Sequence, residues 1–151
     1  MPRMITPDVN VLIAASRSDH PHHSVALHWL SSALSELDTG GGFEILPVVA
    51  TGYLRLVTHP KVFSNPTPLL DAMNFLDALL DHPGVSMSDI GIEEWRQCRQ
   101  MCLDKELTAN DVSDALVAAS ARVMGAKLVT FDRGFSALMP PAALQVLRAA
   151  R

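Results

Sequence analysis

Short apolar runs alternate along this chain with longer stretches whose apolar residues recur at three- and four-residue steps, and that alternation restricts the fold more than any other feature. A short apolar run suits a buried strand, while the longer periodic stretches suit helices. Strands that alternate with helices imply a parallel sheet covered on both faces. The predicted architecture is a three-layer α/β/α domain around a central parallel sheet, and residues 1–151 form one such domain. Compact domains commonly run to roughly 100 to 150 residues.

The first strand is expected at Met4 to Thr6, stopping at Pro7 and Asp8, with Val9, Val11, Leu12, Ile13, Ala14 and Ala15 continuing as a helix. Asp19-His20-Pro21-His22-His23-Ser24 reads as a solvent-exposed loop entering a helix with apolar positions Val25, Leu27, Trp29, Leu30, Ala33, Leu34 and Leu37. Phe43 to Leu46 is the second strand, and Pro47 opens a helix to about Thr58. A helix over Pro68 to Leu80 has a stripe of Leu69, Leu70, Met73, Leu76, Leu79 and Leu80. After an extended piece at Val85 to Met87, helices are predicted over Ile92 to Leu103 and over Asp111 to Met124, the second rich in alanine and closed by Gly125. Lys127 to Phe131 and Leu144 to Leu147 are the remaining strands. Trp29, Trp95 and Phe135 are assigned to the core.

Composition excludes several classes. At 48% hydrophobic and 19% charged, the chain is too apolar for disorder, and no apolar stretch reaches the roughly 18 to 20 residues of a spanning helix. The start lacks the apolar run of a secretory signal, so a cytoplasmic protein is expected. Cys98 and Cys102 have no second pair with which to build a zinc site and are read as buried, reduced thiols. A net charge of −4 argues against a protein that coats itself in nucleic acid, but a carboxylate cluster holding a divalent cation would itself make the formal charge negative.

In an open parallel sheet, ligands bind beyond the carboxyl ends of the strands. Asp8 and Asp132 follow strands there, and Asp114 is placed in the first turn of the alanine-rich helix, where the dipole favours a carboxylate. Carboxylates brought together raise one another's pKa unless a cation such as magnesium or manganese sits among them.

Thr6-Pro7-Asp8-Val9-Asn10-Val11-Leu12 resembles the opening motif of the PIN family of metal-dependent ribonucleases. Asn110-Asp111-Val112-Ser113-Asp114-Ala115-Leu116-Val117-Ala118-Ala119 and Leu128-Val129-Thr130-Phe131-Asp132-Arg133-Gly134-Phe135 are similar to its later motifs. Tyr53-Leu54-Arg55-Leu56-Val57-Thr58-His59-Pro60 resembles the central helix of VapC-type toxins. The resemblance covers nearly the whole chain. It implies that Asp8, Asp114 and Asp132 bind metal (Mg2+ or Mn2+) and catalyse RNA hydrolysis. It also implies an antitoxin partner and a homodimer.

The remaining family acid is commonly a glutamate directly before the aromatic residue matching Tyr53, where this chain has Gly52; the other register gives Ala50. Neither supplies a carboxylate, and Glu44, expected at the start of a strand, does not replace it. Slow or conditional turnover is expected, with a binding module for antitoxin or RNA as the alternative function. A phosphatase with Asp8 as nucleophile fits less well, because Asn10 stands where such chemistry commonly wants a second acid.

Around the three acids, Asp111 is read as capping its helix or helping to hold metal. Thr130 shares Asp132's side of an extended strand and bonds a metal water or an aspartate, or packs. Asn10 orients Asp8 or nearby backbone, or serves a local turn. Arg55 and Arg133 contact phosphate or pair with acids.

Overall fold

The computed structural model describes residues 3–148, so the two residues before and the three after, included in the expected domain, lie outside the described residues. Five strands form one parallel sheet in the order β3-β2-β1-β4-β5: β1 (Met4–Pro7), β2 (Gly42–Ile45), β3 (Val85–Met87), β4 (Lys127–Thr130) and β5 (Leu144–Val146). Each predicted strand is present, with no end shifted by more than one residue.

The helices are α1 (Val9–Ser16), α2 (His23–Glu36), α3 (Pro47–Val57), α4 (Leu69–Leu80), α5 (Ile92–Lys105) and α6 (Asn110–Met124). The chain steps from β1 outward through β2 to β3, then crosses back to β4 on the other side of β1. Right-handed crossovers in opposite directions put α1 to α4 on one face and α5 and α6 on the other. The strand order therefore reverses between β1 and β4, and the crevice at that reversal opens at the carboxyl rim. Ile5 pairs with Lys127 and Pro7 with Val129, which carries Asp8 to the level of Thr130.

Alanine lets α6 lie close to its neighbours: Ala115, Ala118 and Ala119 are all completely buried. Gly125 ends the helix at φ 68°, in the left-handed region that favours glycine, while the Ala126 N–H donates to Ala121 O at 2.8 Å. Arg17, at the end of α1, is 7% exposed. It forms a two-point pair with Asp19 at 3.1 and 2.8 Å and donates to Asn65 O and Thr67 Oγ1, with Phe63 packed against its guanidinium. This clamp fixes the loop between α3 and α4.

Several packing expectations are corrected. Trp95 is 56% exposed, because α5 turns Cys98 and Met101 inward and steps of three fall short of a 3.6-residue turn, so the stripe drifts past Trp95. On α4 the buried positions are Ala72, Leu76 and Leu79, whereas Leu69, Leu70 and Met73 stay in solvent. On α2, Ala26 is buried and Leu27 is exposed. The histidine segment is half-buried: His22 stacks on Phe131 at 4.9 Å, and His23 Nδ1 lies 2.8 Å from Ala14 O. Cys98 is buried and Cys102 only partly so; both are free thiols. No helix among the described residues is long and apolar enough to cross a membrane.

Candidate metal centre

Three aspartates reach one cleft from three elements. Asp8 caps α1 with extended backbone, its Oδ1 accepting from the Val9 N–H at 2.8 Å. Asp132 caps a short 3-10 turn, Arg133–Ala137, by accepting from the Gly134 N–H at 2.7 Å. Asp114 projects from α6, in its second turn and not its first as the sequence suggested, because the helix begins at Asn110. The cleft, about 680 Å³, runs between α3 and α6 and is lined by all three carboxylates together with Asn10, Gly52, Arg55, Asn110 and Ser113.

Thr130 ties the rim together. Its hydroxyl is completely buried, donates to Asp8 Oδ2 at 2.8 Å and accepts from Asn10 Nδ2 at 3.2 Å and from the Asp132 N–H at 3.0 Å. One hydroxyl thus fixes two of the aspartates relative to each other. Asn10 also accepts from the Phe131 N–H at 3.1 Å, so its amide bridges the ends of β1 and β4 and does not bond Asp8 directly.

The carboxylates perturb one another. Burial holds Asp8 above the usual carboxylate range; the Thr130 and Val9 hydrogen bonds work against that, and the charge of Asp132 adds to it. Asp114 is pushed up to about 6 by burial first, then by the charges of Asp8, Asp132 and Asp111. The ion pairs among the described residues are Arg17–Asp19 and Arg96–Glu93, so none of the three has a cationic side chain as partner. Hard divalent cations prefer such oxygen donors, so the chemistry of the donor set suits one. Among the described residues no group of three His, Cys, Asp or Glu side chains is placed to hold a metal ion. Magnesium characteristically keeps several waters and takes only one or two carboxylates.

Gly52 lines the cleft, while Ala50 is 6% exposed within the core, which makes position 52 the one from which a fourth carboxylate would reach the other three. A Cβ at Gly52 would lie 3.0 Å from Val9 Cγ2, so Val9 occupies part of the space such a side chain needs. Glu44 lies next to the last residue of β2, not at the strand's start, because the strand begins at Gly42 and ends at Ile45. Its carboxylate accepts from Ser88 Oγ, away from the cleft.

Asp111 is exposed in the first turn of α6 and does not cap it: Ala109 holds the cap position, with no side-chain bond. Arg55 lines the cleft and Arg133 does not. Asn110 and Ser113 also line the cleft, although the sequence motif around Asp114 assigns them no role. Asn110 precedes Asp114 by four residues and so shares its helical face, a signal that was there to use.

The PIN domain family matches residues 5–138. Ribonuclease VapC43 of Mycobacterium tuberculosis is 35% identical over 134 residues, covering 88% of each chain. Among solved structures, VapBC2 from Rickettsia felis, bound to a promoter DNA fragment, superimposes with a TM-score of 0.66 at 17% identity, over 96% of this chain and 99% of that one. VapC20 of M. tuberculosis, described as a sarcin-ricin loop cleaving toxin, matches with a TM-score of 0.66 at 15% identity, over 88% and 93%. The fold, the motif order and these relatives agree: the chain belongs to the PIN-domain family and, within it, to the VapC ribonucleases.

Proposed function

We propose that the protein is the ribonuclease toxin of a toxin-antitoxin pair and hydrolyses RNA phosphodiester bonds with a divalent ion, magnesium or manganese, held by Asp8, Asp114 and Asp132. The observation that carries this reading is a single cleft lined by three carboxylates without cationic partners, one of them pushed up to about 6. A bound divalent ion supplies Lewis-acid charge at the phosphate and lowers the pKa of a bound water.

The chain's own residues set the geometry. Thr130 fixes Asp8 against the end of β4, and Asn10 holds the β1 and β4 ends in register. Arg55, on the α3 wall of the cleft, offers a planar guanidinium to a phosphate. Gly52 contributes no carboxylate, so turnover is expected to be slow. The binding-module alternative gains no support from the relatives, which are named ribonucleases.

The antitoxin partner is supported by the likeness to VapBC2. Self-association is supported by Leu69, Leu70 and Met73, apolar side chains 40% to 70% exposed on α4. The cytoplasm is the expected location, since RNA substrates are found there.

The test is cleavage of cellular RNA by purified protein with magnesium, manganese or chelator. Metal-dependent cleavage that disappears in Asp8→Asn and Asp114→Asn is the expected result. Cleavage that persists in both variants or in chelator, or no cleavage of any RNA class, would refute the reading.

A further inference from the structure

We propose that a second cavity, on the far side of Asp114 and Asp132, binds the base of a nucleotide that flanks the scissile phosphate. This rests on the ribonuclease reading and extends it to substrate selection. The cavity measures about 660 Å³ and has Leu107, Phe135 and Leu138 in its walls, with Lys105 and Asp111 beside them. It shares Asp114 and Asp132 with the carboxylate cleft, so the two acids form a ridge with a hollow on each side. A strand whose phosphate rests on that ridge extends both ways. On the α3 side it meets Thr51 and Arg55; on the other it meets this hollow.

The chemistry favours a base over a phosphate. Asp111 offsets Lys105, the one cation of the lining, while Leu107, part-exposed above the buried Phe135 and Leu138, offers an apolar surface to a planar ring, the way single-stranded RNA is commonly read. A carboxylate can accept from an exocyclic amino group, so Asp111 favours guanine, adenine or cytosine over uracil, which has none.

The lip of the cavity is held in an unusual conformation. Glu106 and Ala109, at φ 52° and 53°, are the only non-glycine residues with positive φ among the described residues, and they flank the turn that presents Leu107. The Leu107 N–H donates to Cys102 O at 2.9 Å, which fixes the turn against the end of α5.

The test uses an RNA oligonucleotide with a mapped cleavage site, in which each nucleotide next to that site is replaced in turn by an abasic ribose. Loss of one flanking base is expected to lower kcat/KM roughly tenfold. Leu107→Ala should lower cleavage of the intact RNA by a similar factor and leave the abasic RNA unchanged. Ala137→Phe fills the same cavity from an exposed position and should behave alike, so the outcome does not depend on how well Leu107→Ala folds. Cleavage by the wild type, combined with variant effects equal on intact and abasic RNA at every flanking position, overturns the cavity assignment alone. Absence of cleavage of any RNA by the wild type with manganese overturns the ribonuclease reading and this inference with it.

Discussion

Replacing Thr130 with valine keeps the shape of a completely buried side chain and removes a single hydroxyl with three partners. One bond, at 2.8 Å, is donated to the Asp8 carboxylate; the other two are accepted from Asn10 and from the Asp132 N–H. A hydrogen bond to a charged group is worth roughly 1.5–3 kcal/mol and a neutral one roughly 0.5–1.5 kcal/mol. The Asn10 amide and the Asp132 N–H are only partly buried and recover some solvation in the variant, which places the expected loss near the low end, at about 3 kcal/mol. Urea unfolding at neutral pH in chelator measures it directly.

The pH dependence of that loss gives a second handle. The Thr130 bond lowers the Asp8 pKa against the larger effect of burial, so it stabilises only the ionised carboxylate. Its contribution is present above the Asp8 pKa and is lost as pH falls through it; the gap between wild type and Thr130→Val should therefore narrow in acid. Thr130→Ser should recover most of the loss. A deficit below about 1 kcal/mol, or one that does not change with pH, would refute the claim that this hydroxyl holds the rim together.

Further outcomes follow from other groups at the site. Asp114 has its folded pKa pushed up from 3.8 to about 6, so the stability it lends is complete below the unfolded value and is lost as pH rises through the folded one. In chelator, the thermal midpoint of the wild type should accordingly fall more between pH 3.8 and about 6 than that of Asp114→Asn. Gly52→Glu combined with Val9→Ala, which vacates the space 3.0 Å from the new Cβ, should bind manganese more tightly than the wild type and cleave RNA faster, as read by titration and by cleavage rate. Ala50→Glu should instead lose stability on urea unfolding, because that position is 6% exposed in the core. Arg17→Ala removes the clamp on the α3–α4 loop and should cost about 2 kcal/mol on urea unfolding, with little effect on metal affinity.

The order of strands and helices was readable because every strand is a short apolar run set between helical stretches; the three inner strands β1, β2 and β4 are the buried ones, while the edge strands β3 and β5 stay largely open. That same logic placed Asp8 and Asp132 at the carboxyl rim, since an acid following a buried strand has to emerge there. Asp114 was found through its motif and its helix, but the assigned helical turn was off by one because the cap is Ala109, a residue without a side-chain cap to signal it. Choosing between Gly52 and Ala50 required knowing how α3 is rotated about its axis, and periodicity alone does not give the direction of a neighbour.

The same limit explains Trp95 and the α4 leucines: spacing identifies residues that share a stripe, whereas burial depends on what packs against it. His22 against Phe131 and Arg17 against Asn65 are contacts between distant segments, which no local pattern encodes. Asn10 was expected to orient Asp8 or nearby backbone; its amide acts across the sheet, on Phe131 and Thr130, and that link depends on the pairing of β1 with β4.

The central claim is that Asp8, Asp114 and Asp132 together hold a divalent ion, and anomalous diffraction from manganese-soaked crystals tests it most directly. The account predicts a peak within the cleft, in contact with carboxylate oxygens of these residues and absent from Asp8→Asn crystals. A cleft free of anomalous signal at saturating manganese, or a peak that keeps its position and height in Asp8→Asn, would contradict it.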